Sequence, residues 1–539
     1  MNSILLVYLQ NKFVKFQKSC WNAREIQLEY LKKILIRNQN TYFGLENHFK
    51  EIANNFSVLK FQKLISIRDY NDYQAKIENL LNGIQNQLSQ ERVNFFNLTS
   101  GTTNLSKHIP VNRTFHKESK NLLDIWIGGL LKDHPHAMDG YRLAIPGKAI
   151  ESFSVSGIPI GSASGLAYKA APWFIKNKYA IPYEIFEEDD FLNRYLYIIR
   201  SALTKDISFI ATPNSGTLLQ LFDKLQHYSD IILKSLYDGG FFNSELGSRQ
   251  QKLNFKPDLI TAKKLDKNLN RNHGVFDPEM HWKNLKMISV WLGGSCGSQV
   301  SLLKEKFPSI PFRDLGYHAS EARMSVPFCD NTSEGILAIA NNFFEFIPKL
   351  DYENERYNCL LINDLKVGEE YYILISNSSG LYRYDLGDVV QVTDFYGQAP
   401  IIKFMRKKKD MFDLVGEKLH INHFLFAREK MREHLFLSDE RFYIFPSTEL
   451  NRYELYCEFT NHTTEDKLDE LAKKFDGFLQ FANWEYLTKR QSNRINEIRI
   501  YQIPQGTISL IVSKKFQSGI RDSQFKWNFF SIERPNIER

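Results

Sequence analysis

Five hydroxyl side chains, Thr99, Ser100, Thr102, Thr103 and Ser106, crowd around Gly101 in the stretch "FFNLTSGTTNLSKHIPV", residues 95 to 111. So many donors between two apolar runs suit either an anion or a polar turn. A Walker loop requires GxxxxGK[ST], and Ser106-Lys107-His108 supplies neither the second glycine nor the hydroxyl after the lysine. What remains is a strand, a hydroxyl-rich turn and a second strand, a geometry that can form a backbone nest for an anion without a following helix. Ser100, Thr102 and Thr103 are then the candidate donors to phosphate oxygens. As plain turn residues they would instead bond their own backbone.

Other reactive residue types lack the spacing their chemistry needs. His134 and His136 flank a proline and do not have the two-histidine helical spacing of metalloproteases. "GIPIGSASG", residues 157 to 165, does not match the GxSxG nucleophile elbow. Cys296 in "GGSCGS" has no basic partner nearby in sequence, so it reads as a packed thiol rather than a thiolate. The five cysteines are far apart, odd in number and never arranged as CxxC, which signals neither a disulfide framework nor a zinc site and fits a reducing compartment.

The elements that must position these groups read as follows. The first 90 residues carry apolar side chains three and four apart and predict helices that wrap the lobe behind them. Leu5, Leu9, Phe13 and Phe16 make the opening run a packed amphipathic helix, too short to span a bilayer and a poor match to a signal peptide. From Val93 onward short β-branched and aromatic runs alternate with helical stretches. "MISVWLGG" followed by "QVSLLKEKF", with Val300, Leu303 and Phe307 on one face, is an example, and the alternation predicts an α/β lobe. "EYYILISNSSGLYRYDLGDVVQVTDF" predicts two strands joined at Asn377–Gly380, with Gly387 producing a turn or bulge that aims Asp388 out of the ladder.

A boundary is expected near residue 405, giving a large domain over 1–404 and a small α/β domain over 405–539. In the small domain "RFYIFP", "YELYCEFT" and "EIRIYQI" are strands, and Leu468, Leu471, Phe475 and Phe478 form a helical stripe. At 539 residues, 43% hydrophobic and 24% charged, the chain has ample material for these cores. A net charge of +7 spread over the whole length does not point to nucleic acid, and the run Arg406-Lys407-Lys408-Lys409 reads as solvated. No membrane partner is expected, and the cytoplasm is the expected location.

Four stretches in order resemble a known family, the Gretchen Hagen acyl-acid amido synthetases, auxin-responsive proteins of plants with bacterial relatives, within the adenylate-forming superfamily. "TSGTTNLSKHIP" resembles its phosphate loop, "YHASEARMSVP" (317–327) its second motif and "YRYDLGDVVQV" (382–392) its third. "FFEFIP" (343–348) matches the segment between these two. "TYFGLENHF", "SIRDYNDY" and "DLVGEKLH" are similar to bacterial-type members, and the likeness covers roughly residues 40 to 425 and more faintly the rest.

The resemblance implies that Ser100, Gly101, Thr102 and Thr103 bind the ATP polyphosphate. It implies that Tyr317, Ala319 and Ser320 line the adenine, that Glu321 reaches Mg2+, and that Asp388 takes the ribose hydroxyls. The basic residue that also touches ribose falls at Arg406 or Lys407, and a catalytic lysine that swings in over the phosphates falls at Lys526. The chain departs from the family pattern at Asn104-Leu105, at Ala322-Arg323, where glycine usually follows the glutamate, and at Trp527-Asn528 after Lys526.

The implied activity is ATP-dependent ligation. A carboxylic acid is activated as acyl-AMP with release of pyrophosphate, and the acyl group passes to an amine, that of an amino acid. A hinge near 403–416 would let the small domain close and turn between the two steps. "SVSGIPIGSASG" and "WLGGSC" are candidate walls for the acid. A thiol acceptor and a catalytically degenerate nucleotide-binding protein are the alternatives.

Overall fold

The computed structural model describes residues 3–99, 107–241, 255–412, 414–415, 417–517, 527–531 and 534. Its N-terminal 90 residues are helical, as the periodicity predicts. The opening helix Ser3–Ser19 turns Leu9, Phe13 and Phe16 inward against the long helix Arg113–Asp133. The two backbones approach so closely that a Cβ on Gly128 would lie 2.0 Å from the carbonyl oxygen of Leu9. Helix Tyr70–Leu81 begins with a reciprocal cap. Asp69 accepts from the Asn71 amide at 2.8 Å, and Asp72 reaches back to the Asp69 amide at 2.9 Å, satisfying donors that the first turn leaves open.

Among the described residues the strands form five sheets. In the first, Val93–Thr99 (β1) lies between Lys107–Asn112 (β2), antiparallel, and Pro159–Gly161 (β5), parallel, with Ser152–Phe153 (β4) at the edge. The two predicted strands are thus the antiparallel pair β1–β2, and the predicted turn at 100–106 lies outside the described residues. A second, all-parallel sheet runs Tyr141–Ala144 (β3), Ile207–Ala211 (β6), Met287–Val290 (β7), Phe312–Asp314 (β8). Its central strands β6 and β7 are short, mostly apolar runs because helices cover them, among them Val300–Lys306, which buries Val300 and Leu303.

The third sheet is antiparallel and six-stranded, in the order Phe343–Pro348 (β11), Glu370–Ser376 (β12), Tyr384–Tyr396 (β13), Ala399–Lys407 (β14), Gly335–Leu337 (β10), Ser325–Val326 (β9). Strands β12 and β13 flank Asn377–Gly380. Gly387 has φ +62°, and the β12–β13 register shifts between Tyr372↔Val389 and Leu374↔Asp385, so the expected bulge is present. Its effect differs from the expectation on one side. Asp388 leaves the β12 ladder yet stays in register with Lys407 of β14.

A two-stranded piece, Met411–Phe412 (β15) with Leu419–His420 (β16), leads to the last sheet. There Leu437–Ser447 (β17) pairs antiparallel with Arg452–Phe459 (β18), which pairs parallel with Arg499–Ile503 (β19). Helix Glu465–Ala482 buries Leu468, Leu471 and Phe475 against it. Three main apolar clusters result: one joins the N-terminal helices to the six-stranded sheet, one surrounds the parallel sheet, and one lies within 419–530. Strand β14 runs through residue 405 to Lys407, and the third cluster opens at Leu419.

Candidate functional site

The segment 317–324 reverses direction tightly. The Ala319 amide donates to the Ala322 carbonyl at 2.8 Å, and the Met324 amide donates to the Tyr317 carbonyl at 2.9 Å. Three asparagines from three distant elements hold its carbonyls. Asn97 of β1 donates to Ser320 at 3.1 Å, Asn377 after β12 to Glu321 at 2.9 Å, and Asn342 before β11 to Arg323 at 2.9 Å. Ala322 and Met324 anchor the loop in the first core.

This loop presents Tyr317 and Glu321 to the β13–β14 pair. The Tyr317 hydroxyl donates to Asp388 Oδ2 at 2.7 Å, and the Lys407 ammonium donates to Oδ1 of the same carboxylate at 2.5 Å. Asp388 is 2% exposed, so both contacts offset the cost of burying its charge. Burial alone would lower the Lys407 pKa. The charge and hydrogen bond of Asp388, with Glu321 and Asp410 farther off, outweigh it and raise the value. Burial, and then the Asp388 charge, push the Tyr317 phenol well above its ordinary range, so it remains a donor at neutral pH. Its ring lies 5.2 Å from that of Phe404. Glu321, 8% exposed, accepts from the Tyr384 hydroxyl at 3.4 Å.

Tyr317, Glu321, Asp388 and Lys407 therefore share one site, with Ala319 and Ser320 on the loop between the first two. Arg406 does not reach the Asp388 carboxylate. Alternation along β14 turns it to the other face, where its side chain, 1% exposed, pairs with Glu353 at 3.3 Å. Ser100, Gly101, Thr102, Thr103 and Lys526 lie outside the described residues, as does the side chain of Cys296. His134 bonds Asp330 at 2.7 Å and His136 bonds Asp139 at 2.8 Å. Among the described residues no helix is long and apolar enough to cross a membrane.

Sequence reading missed Tyr384 and the three clamping asparagines. The available signal was an amide, Asn97, in the mostly apolar run "FFNL", and a second tyrosine in "YRYD". The donor set suits a nucleotide. A carboxylate offers about four lone-pair positions; Tyr317 and Lys407 occupy two on Asp388 and leave two for a pair of hydroxyls. Glu321 alone supplies one hard oxygen ligand, in keeping with a magnesium ion whose other ligands are phosphate oxygens and water. Among the described residues no group of three or more His, Cys, Asp or Glu is placed to hold a metal by itself.

The 4-substituted benzoates-glutamate ligase GH3.12 of Arabidopsis thaliana is 23% identical over 94% of this chain and 92% of its own length. The jasmonoyl-L-amino acid synthetase JAR6 of Nicotiana attenuata is 22% identical over 96% and 93%. A solved structure of the GH3.15 acyl acid amido synthetase covers 97% of this chain and 94% of its own with a TM-score of 0.82 at 19% identity, a likeness of fold. Residues 12–312 match the GH3 family N-terminal domain, 335–407 its central domain and 426–535 its C-terminal domain. The chain belongs to the GH3 family.

Proposed function

We propose that this GH3 protein is an ATP-dependent acyl-acid amido synthetase. It activates a carboxylic acid as an acyl-adenylate with release of pyrophosphate and passes the acyl group to the amine of an amino acid. The observation that carries the reading is the convergence of Tyr317, Glu321, Asp388 and Lys407, which come from segments up to 90 residues apart and form one buried polar cluster. The relatives' names, a benzoate-glutamate ligase and a jasmonoyl-amino acid synthetase, support the same class of reaction.

In this reading the lone pairs left on Asp388 accept the two ribose hydroxyls, and Tyr317 and Lys407 hold that carboxylate ionised and fixed. Tyr317, Ala319 and Ser320 line the purine, and Glu321 holds Mg2+, which neutralises charge on the phosphates. Preorganised donors and cations aimed at developing charge are the largest source of rate in such a transfer. The loop Ser100-Gly101-Thr102-Thr103 and Lys526 are assigned to the phosphates. The acid's oxygen attacks the α-phosphorus as pyrophosphate leaves. The amine nitrogen then attacks the acyl carbon, AMP leaves, and the nitrogen loses a proton. We further propose lobes over 1–404 and 405–539 that reorient about 403–416 between the two steps.

The test is incubation with ATP, Mg2+, a panel of carboxylic acids and the common amino acids. Acid-dependent pyrophosphate release and an amide product are expected. Silence across a broad panel would overturn the proposal.

A further inference from the structure

The Asp388 carboxylate stands on the bulge of β13. The β12–β13 register passes from Leu374↔Asp385 to Tyr372↔Val389, so Leu386, Gly387 and Asp388 stand opposite Ile373 alone. Residues of a bulge are off the regular ladder, and their direction depends on other contacts. From β14 comes the pairing Asp388↔Lys407. From within β13 comes a second tie: the Gly387 amide donates to Asp385 Oδ1 at 2.7 Å. That bond closes over a residue at φ +62°, a conformation that glycine adopts without strain, and it fixes the backbone one residue before Asp388.

Asp385 is held in turn. Its own amide donates to the Arg68 carbonyl at 2.8 Å, and its Oδ2 accepts from the Tyr352 hydroxyl. Tyr352 comes from the short helix Lys349–Glu353, and its ring stacks on Tyr372 of β12 with centroids 3.8 Å apart and planes inclined by 13°. The ammonium of Lys408, the residue after Lys407, donates to the Tyr352 oxygen at 3.3 Å, which leaves the phenol proton for Asp385. Burial, and then the Asp385 charge, raise the Tyr352 pKa, so it stays a donor at neutral pH. Two carboxylates three residues apart on one strand therefore have different surroundings. Asp388 is paired with Tyr317 and Lys407, and Asp385 with Tyr352 and the Gly387 amide.

We propose that Asp385 is a positioning residue for the ribose: fastened by Tyr352, it locks the Gly387 bulge and so sets the direction in which the Asp388 carboxylate meets the two hydroxyls. One carboxylate that accepts from two hydroxyls at once tolerates little displacement, and its backbone needs this kind of support. The inference rests on the assignment of Asp388 to ribose, and on neither the identity of the acid nor that of the amine.

The test is titration calorimetry with ATP and 2′-deoxy-ATP on the parent, Asp385→Ala, Asp385→Asn and Tyr352→Phe, with a melting curve for each. In Asp385→Ala the Kd for ATP rises about tenfold, the size of one charged hydrogen bond, while that for 2′-deoxy-ATP rises much less, so the preference for ATP falls. Asp385→Asn recovers most of that preference, because its amide oxygen still accepts from Gly387 and its amide nitrogen donates to the Tyr352 oxygen. Tyr352→Phe keeps its ring on Tyr372, loses the hydroxyl and shows part of the same loss. A merely structural role would lower the melting temperature and weaken both nucleotides by one factor.

A parent-like preference for ATP in both Asp385→Ala and Tyr352→Phe overturns the proposal, whatever their melting temperatures, as does an equal loss of preference in Asp385→Asn and Asp385→Ala. If Asp385→Ala does not fold, Tyr352→Phe decides alone. A parent that binds the two nucleotides equally overturns the ribose assignment of Asp388 itself.

Discussion

Asp388→Asn isolates the charge of the carboxylate from its shape. The side chain is 2% exposed and accepts from the Tyr317 hydroxyl at 2.7 Å and the Lys407 ammonium at 2.5 Å. In the variant the amide oxygen still accepts from Lys407, and the amide nitrogen donates to the Tyr317 oxygen, so the local packing survives. The Lys407 side chain is 30% exposed, so water solvates the charge that the amide no longer neutralises, which limits the loss of fold stability to about 1 kcal/mol. Nucleotide binding suffers more. A hydrogen bond to a charged acceptor exceeds a neutral one by about 1 kcal/mol, and two ribose hydroxyls make about 2 kcal/mol, or roughly thirtyfold in Kd. Titration calorimetry with ATP and with 2′-deoxy-ATP measures this. The parent discriminates strongly between the two nucleotides and Asp388→Asn weakly. Equal ATP affinity in variant and parent, or the same discrimination in both, refutes the assignment of Asp388 to ribose.

Lys526→Ala slows acid-dependent pyrophosphate release at least tenfold while ATP still binds, and equal turnover rejects that lysine's role. Glu118 lies half-buried between the Tyr30 and Ser378 hydroxyls, and desolvation pushes its carboxyl up to about 7. With a raised folded-state value, its contribution to stability is complete below about pH 4.5 and is lost as pH rises through 7. Glu118→Gln therefore gains about 1 kcal/mol on the parent at pH 8 and nothing at pH 4.5, read from urea midpoints at the two values. Gly128→Ala places a methyl group against the Leu9 carbonyl and costs about 3 kcal/mol as the helix pair is forced apart, seen as a lower urea midpoint with unchanged slope.

Local patterns carried most of the fold. The helical stripe Leu9, Phe13, Phe16 and the apolar runs of the parallel sheet declare themselves because burial imposes a period of 3.6 or a short continuous run. The choice between Arg406 and Lys407 was not legible, and the reason is a bulge. The β13–β14 register passes from Val389↔Arg406 to Val390↔Phe404, so Met405 is an extra residue on β14. Counting along the strand from Phe404 then misassigns faces, since one inserted residue exchanges the two sides. Tyr384 on Glu321 and Asn97 on Ser320 join segments 63 and 223 residues apart, a pairing that no local pattern encodes.

The three asparagine clamps grip the 317–324 segment by its carbonyl oxygens, leaving the side chains from His318 to Arg323 unconstrained by that grip. Amides carry no charge and do not titrate near neutrality, so the hold is indifferent to acidity and ionic strength. Such a loop can accept new residues through evolutionary drift without displacing the carboxylate of Glu321. In the proposed ligase, substrate preference is thereby free to diverge while the Glu321 carboxylate keeps its place.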